Sequence, residues 1–181
     1  MREPLGCKSL FLVGFMGAGK STVAAALSRL TRIECVDLDS LIVQQVGMSI
    51  PEIFSRFGEE TFRRHEVSAL ASLADGQSRI VATGGGVVGR EDNWACMRRQ
   101  GVVVYLQASW EVLTERIGSG EGRPLASGPE RERLKDLWQS RLPLYEQADL
   151  VVNADHKSPE DIAHQILMAC ANRRSPDEQS R

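Results

Sequence analysis

The segment from Gly14 to Thr22, GFMGAGKST, sets a glycine, four residues, a second glycine, a lysine and hydroxyl residues in fixed order. That spacing binds phosphate: glycines let successive backbone N–H groups curl around phosphate oxygens, and a helix starting here adds its positive end. The binding residues are then Gly17, Ala18, Gly19, Lys20, Ser21 and Thr22, with Lys20 along the β- and γ-phosphates of ATP or GTP. The Ser21 hydroxyl is placed to ligate Mg²⁺. A ligand-free glycine turn is the alternative, but an apolar run precedes the motif and an Ala/Leu-rich helical run follows it.

Further groups suit the acceptor end of a phosphoryl transfer. Asp37 and Asp39 close the second apolar run two residues apart, a spacing that points both side chains the same way in extended chain. Asp37 can then hold Mg²⁺ through water while Asp39 accepts a proton from a hydroxyl; a helix cap at Asp39 is the competing role. In Phe62-Arg63-Arg64-His65-Glu66, the Arg63/Glu66 spacing of i, i+3 lets a carboxylate steady a guanidinium for anion capture, against a merely solvated charged face. Gly84, Gly85 and Gly86 in a row suit either a turn or a backbone passing close to a ligand.

These groups need a scaffold that gathers them. Short apolar runs at Ser9–Val13, Ile33–Val36, Arg79–Thr83, Gly101–Leu106 and Leu150–Val152 alternate with helical stretches starting near Lys20, Asp39, Pro51, Glu59, Glu91, Ser109, Pro129 and Pro159. This rhythm predicts an α/β fold on a mainly parallel sheet whose strands are buried on both faces. Ser49, Ser109 and Ser158 are expected to cap helices. One domain over residues 1–171 is expected. A substrate-binding helical region about 38–75, a mobile glycine-rich loop about 117–129 and a frayed tail over 172–181 complete the division.

Composition narrows the partners. With 22 Lys+Arg against 24 Asp+Glu in 181 residues, the net charge of −2 argues against a duplex nucleic-acid binder, though not against a local cationic pocket. Hydrophobic residues at 42% suffice for a core, and no run is long enough to span a bilayer. The four cysteines show no metal or redox spacing. A cytoplasmic, monomeric protein is expected.

Taken in order, these motifs, with Arg123-Pro124-Leu125 and the RLPLYEQA run from Arg141 to Ala148, resemble the shikimate kinase family over about residues 10–170. The resemblance implies a three-layer α/β/α fold of the P-loop kinase type, with a five-stranded parallel sheet in the order 2-3-1-4-5 and a closing lid. It implies ATP and shikimate as substrates, one Mg²⁺ ion, and Lys20, Asp39 and Arg123 as catalytic residues. Asp39, Arg63, Gly85, Gly86 and Arg141 would then bind shikimate, with Phe54 and Phe62 as an apolar wall that is otherwise ordinary core. Arg116 and Lys157 would meet the adenine end together with Arg123 over the phosphates, though Arg116 also reads as a solvated helix end. A kinase of another hydroxy acid such as gluconate, or a nucleotide-binding module without catalysis, remains the alternative.

Overall fold

In the computed structural model, which describes residues 9–118 and 129–173, five strands alternate with helices. They are β1 (Ser9–Val13), β2 (Glu34–Asp37), β3 (Arg79–Ala82), β4 (Gly101–Gln107) and β5 (Leu150–Asn153). The helices are α1 (Lys20–Thr31), α2 (Leu38–Val46), α3 (Ile50–Ser72), α4 (Glu91–Gln100), α5 (Trp110–Gly118), α6 (Pro129–Tyr145) and α7 (Pro159–Arg173), with a 3-10 turn at Val87–Gly89. All strand pairs are parallel, in the order β2-β3-β1-β4-β5. Because the strands run the same way, the loops after them open along one edge of the sheet, where open α/β sheets take their ligands.

Every residue of β1 is buried, so helices cover both faces of the sheet and make three layers. The expectation of two-sided burial fails at the edges. In β2, Glu34 and Cys35 are exposed, and in β5 Val151 is 50% exposed, because an edge strand lacks a neighbour and its covering helices overhang less. The three serine caps form as expected: Ser49 accepts from the Glu52 N–H within a reciprocal capping box, Ser109 from the Val112 N–H, and Ser158 from the Asp161 N–H. The two helices expected at Pro51 and Glu59 run on as α3 with a kink between them. Gly58 makes the kink, at φ 78° and ψ 174°.

Two expected boundaries shift. Asn172 and Arg173 are helical rather than frayed, since the Arg173 guanidinium donates to the Asp149 carbonyl and ties α7 to the start of β5. Ile117, Gly118 and Pro129, which the expected loop included, belong to α5 and α6; Arg123, Pro124 and Leu125 lie outside the described residues. No helix among the described residues is long and apolar enough to cross a membrane.

Close strand packing leaves one position without room for a side chain. A Cβ at Gly101 would sit 1.9 Å from the Ser9 carbonyl oxygen, backbone that cannot swing aside. Gly101→Ala is expected to lower stability by about 3 kcal/mol, at the upper end for overpacking. Urea unfolding checks this, and an unchanged midpoint would place more slack between β1 and β4 than the register allows.

Candidate active site

The phosphate loop spans the turn from β1 to α1. Its glycines are needed for conformation and space alike: Gly17 has φ 80°, and a Cβ there would lie 2.9 Å from the Ile117 side chain. Lys20 folds back over the loop, donating to the Gly14 and Phe15 carbonyls at 2.8 and 2.9 Å. Burial pulls its pKa down to about 8, against the pull of Asp39 and Asp37, while the Arg141 charge adds to the depression. Burial, more than neighbouring positive charge, therefore works against the charged form of Lys20.

The two aspartates divide their work differently from the extended geometry expected. β2 ends at Asp37, whose Oδ1 accepts the Ser40 N–H at 3.0 Å and so caps α2. The chain turns helical at once, which puts Asp39 in the first turn of α2 and not in strand. The cap belongs to Asp37, and Asp39 is left free of that role. Asp37 Oδ2 accepts the Ser21 hydroxyl at 3.1 Å, bringing two hard oxygen donors together beside the loop.

Asp39 faces the glycine triplet. Its Oδ1 is buried with no hydrogen-bond partner, and burial raises its pKa, helped by Asp37 and opposed by Lys20 and Arg63. A Cβ on Gly84 would come within 3.0 Å of Asp39 Oδ1 and 3.2 Å of Glu66 Oε1, so a side chain there would crowd both carboxylates. Glu66 is fully buried; burial raises its pKa as well, with Arg63 opposing. Oxygen acceptors kept from water without a donor are costly, and a ligand hydroxyl can supply that donor at Asp39.

Arg63 is no solvated residue: its side chain is 16% exposed, with Nη1 on Glu66 at 2.8 Å and Nη2 on Glu59 at 3.0 Å. The bland reading holds for Arg64, which is 74% exposed. Both Nη atoms of Arg63 lie 2.5 Å from where a Cβ of Gly86 would be, and Arg141 Nη1 lies 3.7 Å from that of Gly85. The triplet is therefore threaded between two guanidinium groups. Around them opens a pocket of about 430 Å³ lined by Glu59, Glu60, Arg63, Gly86, Arg90 and Arg141, among others. Arg90, tied to Glu60 at 2.6 Å, was not foreseen; as a lone arginine after the glycines, it carries no spacing that marks it.

Phe62 is buried and Phe54 is 38% exposed, their ring centroids 4.8 Å apart, so Phe62 packs in the core while Phe54 offers an apolar face. On the other side of the loop, Ala18, Gly19, Thr22, Arg116, Lys157 and Pro159 line a second pocket of about 260 Å³. Arg116 is half-buried and donates to the Ala154 carbonyl at 3.0 Å and the Gly17 carbonyl at 3.4 Å, which ties α5 to the loop and sets aside the solvated helix end. Lys157 Nζ rests on the Asn153 carbonyl at 3.1 Å and on Gln165 at 3.2 Å. Of the four expected cations, Lys20, Arg63 and Arg141 gather at one end of the sheet; Arg123 lies outside the described residues.

One pocket is lined by the phosphate loop, and the glycine triplet beside the arginine-lined pocket packs against that loop at Gly14 and Met16, an arrangement that defines a P-loop kinase of small molecules. The family model described as "Shikimate kinase" matches residues 16–171, and the chain belongs to the shikimate kinase family. It is 40% identical over 162 residues to the shikimate kinase of Thermodesulfovibrio yellowstonii, covering 88% of this chain and 93% of that one. Among solved structures, the shikimate kinase from Acinetobacter baumannii in complex with shikimate superposes with a TM-score of 0.85 at 32% identity, over 94% of this chain and 97% of that one. A gluconokinase from Sinorhizobium meliloti 1021 superposes at 0.67 with 19% identity over the full length of both chains, a likeness of fold alone.

Proposed function

We propose that this chain transfers the γ-phosphoryl group of ATP to the 3-hydroxyl of shikimate, giving ADP and shikimate 3-phosphate. The observation that carries it is Asp39 Oδ1, a buried acceptor without a partner, in a site flanked by Lys20 and Arg63 and faced by the glycine triplet. Family membership supports the choice of acceptor. So does the pocket: Arg63 and Arg141 in its wall suit a carboxylate, and Gly86 lets a ring lie close to backbone, while Phe54, exposed beside Phe62 on the same helix, would be its apolar neighbour.

In this reading Gly17, Ala18, Gly19, Ser21 and Thr22 cradle the phosphates, and Arg116 and Lys157 border the base. Arg63 and Arg141 fix the acid so that its hydroxyl faces Asp39. The hydroxyl oxygen forms a bond to the γ-phosphorus as the bond to the β,γ-bridging oxygen breaks; its proton passes to Asp39 and ADP leaves. Lys20 and Arg123 offset the charge that grows on the transferred group. Ser21, with Asp37 through water, would hold Mg²⁺, which supplies neutralisation of phosphate charge when bound. The donor set fits: two hard oxygens suffice for an ion that keeps several waters and takes substrate phosphates. The protein would work as a cytoplasmic monomer on two small anions.

Release of ADP measured with shikimate, with gluconate and without acceptor tests the substrate. Shikimate-dependent release is expected; gluconate-dependent release, or none, overturns the proposal. Asp39→Asn should keep ATP affinity and lose about 10²- to 10⁴-fold in turnover. A near-normal rate would remove Asp39 from the chemistry.

The depressed Lys20 pKa gives a second prediction. Above about pH 8 free Lys20 is largely neutral, and the phosphates of ATP favour its charged form, so ATP binding at about pH 8.5 should take up a proton from the buffer. Calorimetry in buffers of different ionisation enthalpy reads this. Lys20→Arg, charged throughout, should abolish the uptake, and buffer-independent heats in the unaltered protein would contradict it.

A further inference from the structure

The glycine triplet is pinned from both ends. Upstream, Thr83 donates twice to the Leu12 carbonyl, through its N–H at 3.2 Å and its hydroxyl at 2.8 Å. Downstream, Asn93 Nδ2 donates to the Val87 carbonyl at 2.8 Å and Trp94 Nε1 to that of Val88 at 2.9 Å. Within the triplet, the Gly84 and Gly86 carbonyls accept from Val87 and Gly89, both inside the same turn. The Gly85 carbonyl is different. It accepts at 2.6 Å from Tyr145 Oη, a hydroxyl brought in by the last residue of α6.

Tyr145 is fully buried, and its ring stacks on Tyr105 of β4 with centroids 5.1 Å apart. The ring is thus fixed by the sheet, and its hydroxyl has little freedom to choose another partner. Arg141 precedes Tyr145 by four residues, so both side chains lie on one face of α6. Its guanidinium charge acts on the same hydroxyl, and its Nη1 stands 3.7 Å from the Cβ position of Gly85. Burial pushes the phenol pKa up to about 12, with Arg141 opposing, so the hydroxyl keeps its proton to donate across the working pH range.

We propose that Tyr145 is a positioning residue for the acceptor substrate: its hydroxyl donates to Gly85 beside the Arg141 guanidinium, holding the glycine triplet in one geometry against the arginine. This rests on the acceptor-site reading given above. Sequence spacing could have suggested it, since the i, i+4 relation to Arg141 lies within RLPLYEQA, but an aromatic there reads first as core. Tyr145 touches neither reacting group. It acts through Arg141 and Gly85.

Tyr145→Phe keeps the ring and its stack and removes only the hydroxyl. Steady-state kinetics should show KM for shikimate rising about fivefold, the size of one lost hydrogen bond, with KM for ATP unchanged and the thermal midpoint lower by no more than a few degrees. Amide hydrogen exchange over Gly84–Gly86, measured without substrate, should speed up. Tyr105→Phe, which trims the other ring of the stack, should change neither. An unchanged shikimate KM, or equal rises in both KM values, would overturn the positioning role. If the unaltered protein fails to phosphorylate shikimate, the functional proposal falls by itself. The exchange rates then decide on Tyr145: faster exchange in the variant upholds the anchor, and unchanged exchange overturns it.

Discussion

Charge kept from water shapes this molecule more than any other constraint. Lys20, Asp39 and Glu66 are held in a small volume at the C-terminal edge of the sheet, where burial works against each charged form. They offset one another only in part. Arg63 answers Glu66, Lys20 lies on two carbonyls and feels both aspartates, and Asp39 keeps an oxygen with no donor. Such an arrangement is expensive for folding alone. In the proposed function a phosphate chain on one side and a hydroxylated acid on the other would supply the missing partners, so the cost to the empty protein would become selectivity for the two ligands.

The scaffold explains how so many charges are held in place. Parallel strands deliver the loops after β1, β2 and β3 to the same edge, and β1 in the middle of the sheet is inaccessible to water throughout. Asp39 and Arg63 come from helices whose starts are capped, α2 by Asp37 and α3 by the Ser49–Glu52 box. Glycine appears where a neighbour demands it. At Gly86 a single methyl would collide with the Arg63 guanidinium, so the triplet reflects the space the arginines occupy and is more than a turn.

Much of this was legible because the signals are local. The phosphate loop, the five apolar runs and the serine caps each depend on neighbours a few residues away, and each appears within a residue or two of its expected place. What misled was tertiary. Asp37 and Asp39 read as one extended pair because nothing in the spacing tells that Asp37 would cap a helix starting at the next residue. The edge strands read as buried because composition does not reveal which strands lack a neighbour. The Arg63/Glu66 spacing suited a solvated face and an anion site alike; the glycine triplet that packs against them and decides between the two comes from a distant part of the chain. The family resemblance carried the choice of acceptor, which no local pattern encodes.

In the proposed function, the Arg63 and Arg141 guanidinium groups make this pocket a receptor for a carboxylate beside a reacting hydroxyl. Calorimetric titration of shikimate against its carboxamide, which keeps the ring and hydroxyls and removes only the negative charge, tests it most directly. The carboxamide should bind roughly 100-fold more weakly, as expected when buried cations lose their anion. Equal affinities would contradict the claim, since the arginines would then be doing no more than lining the wall.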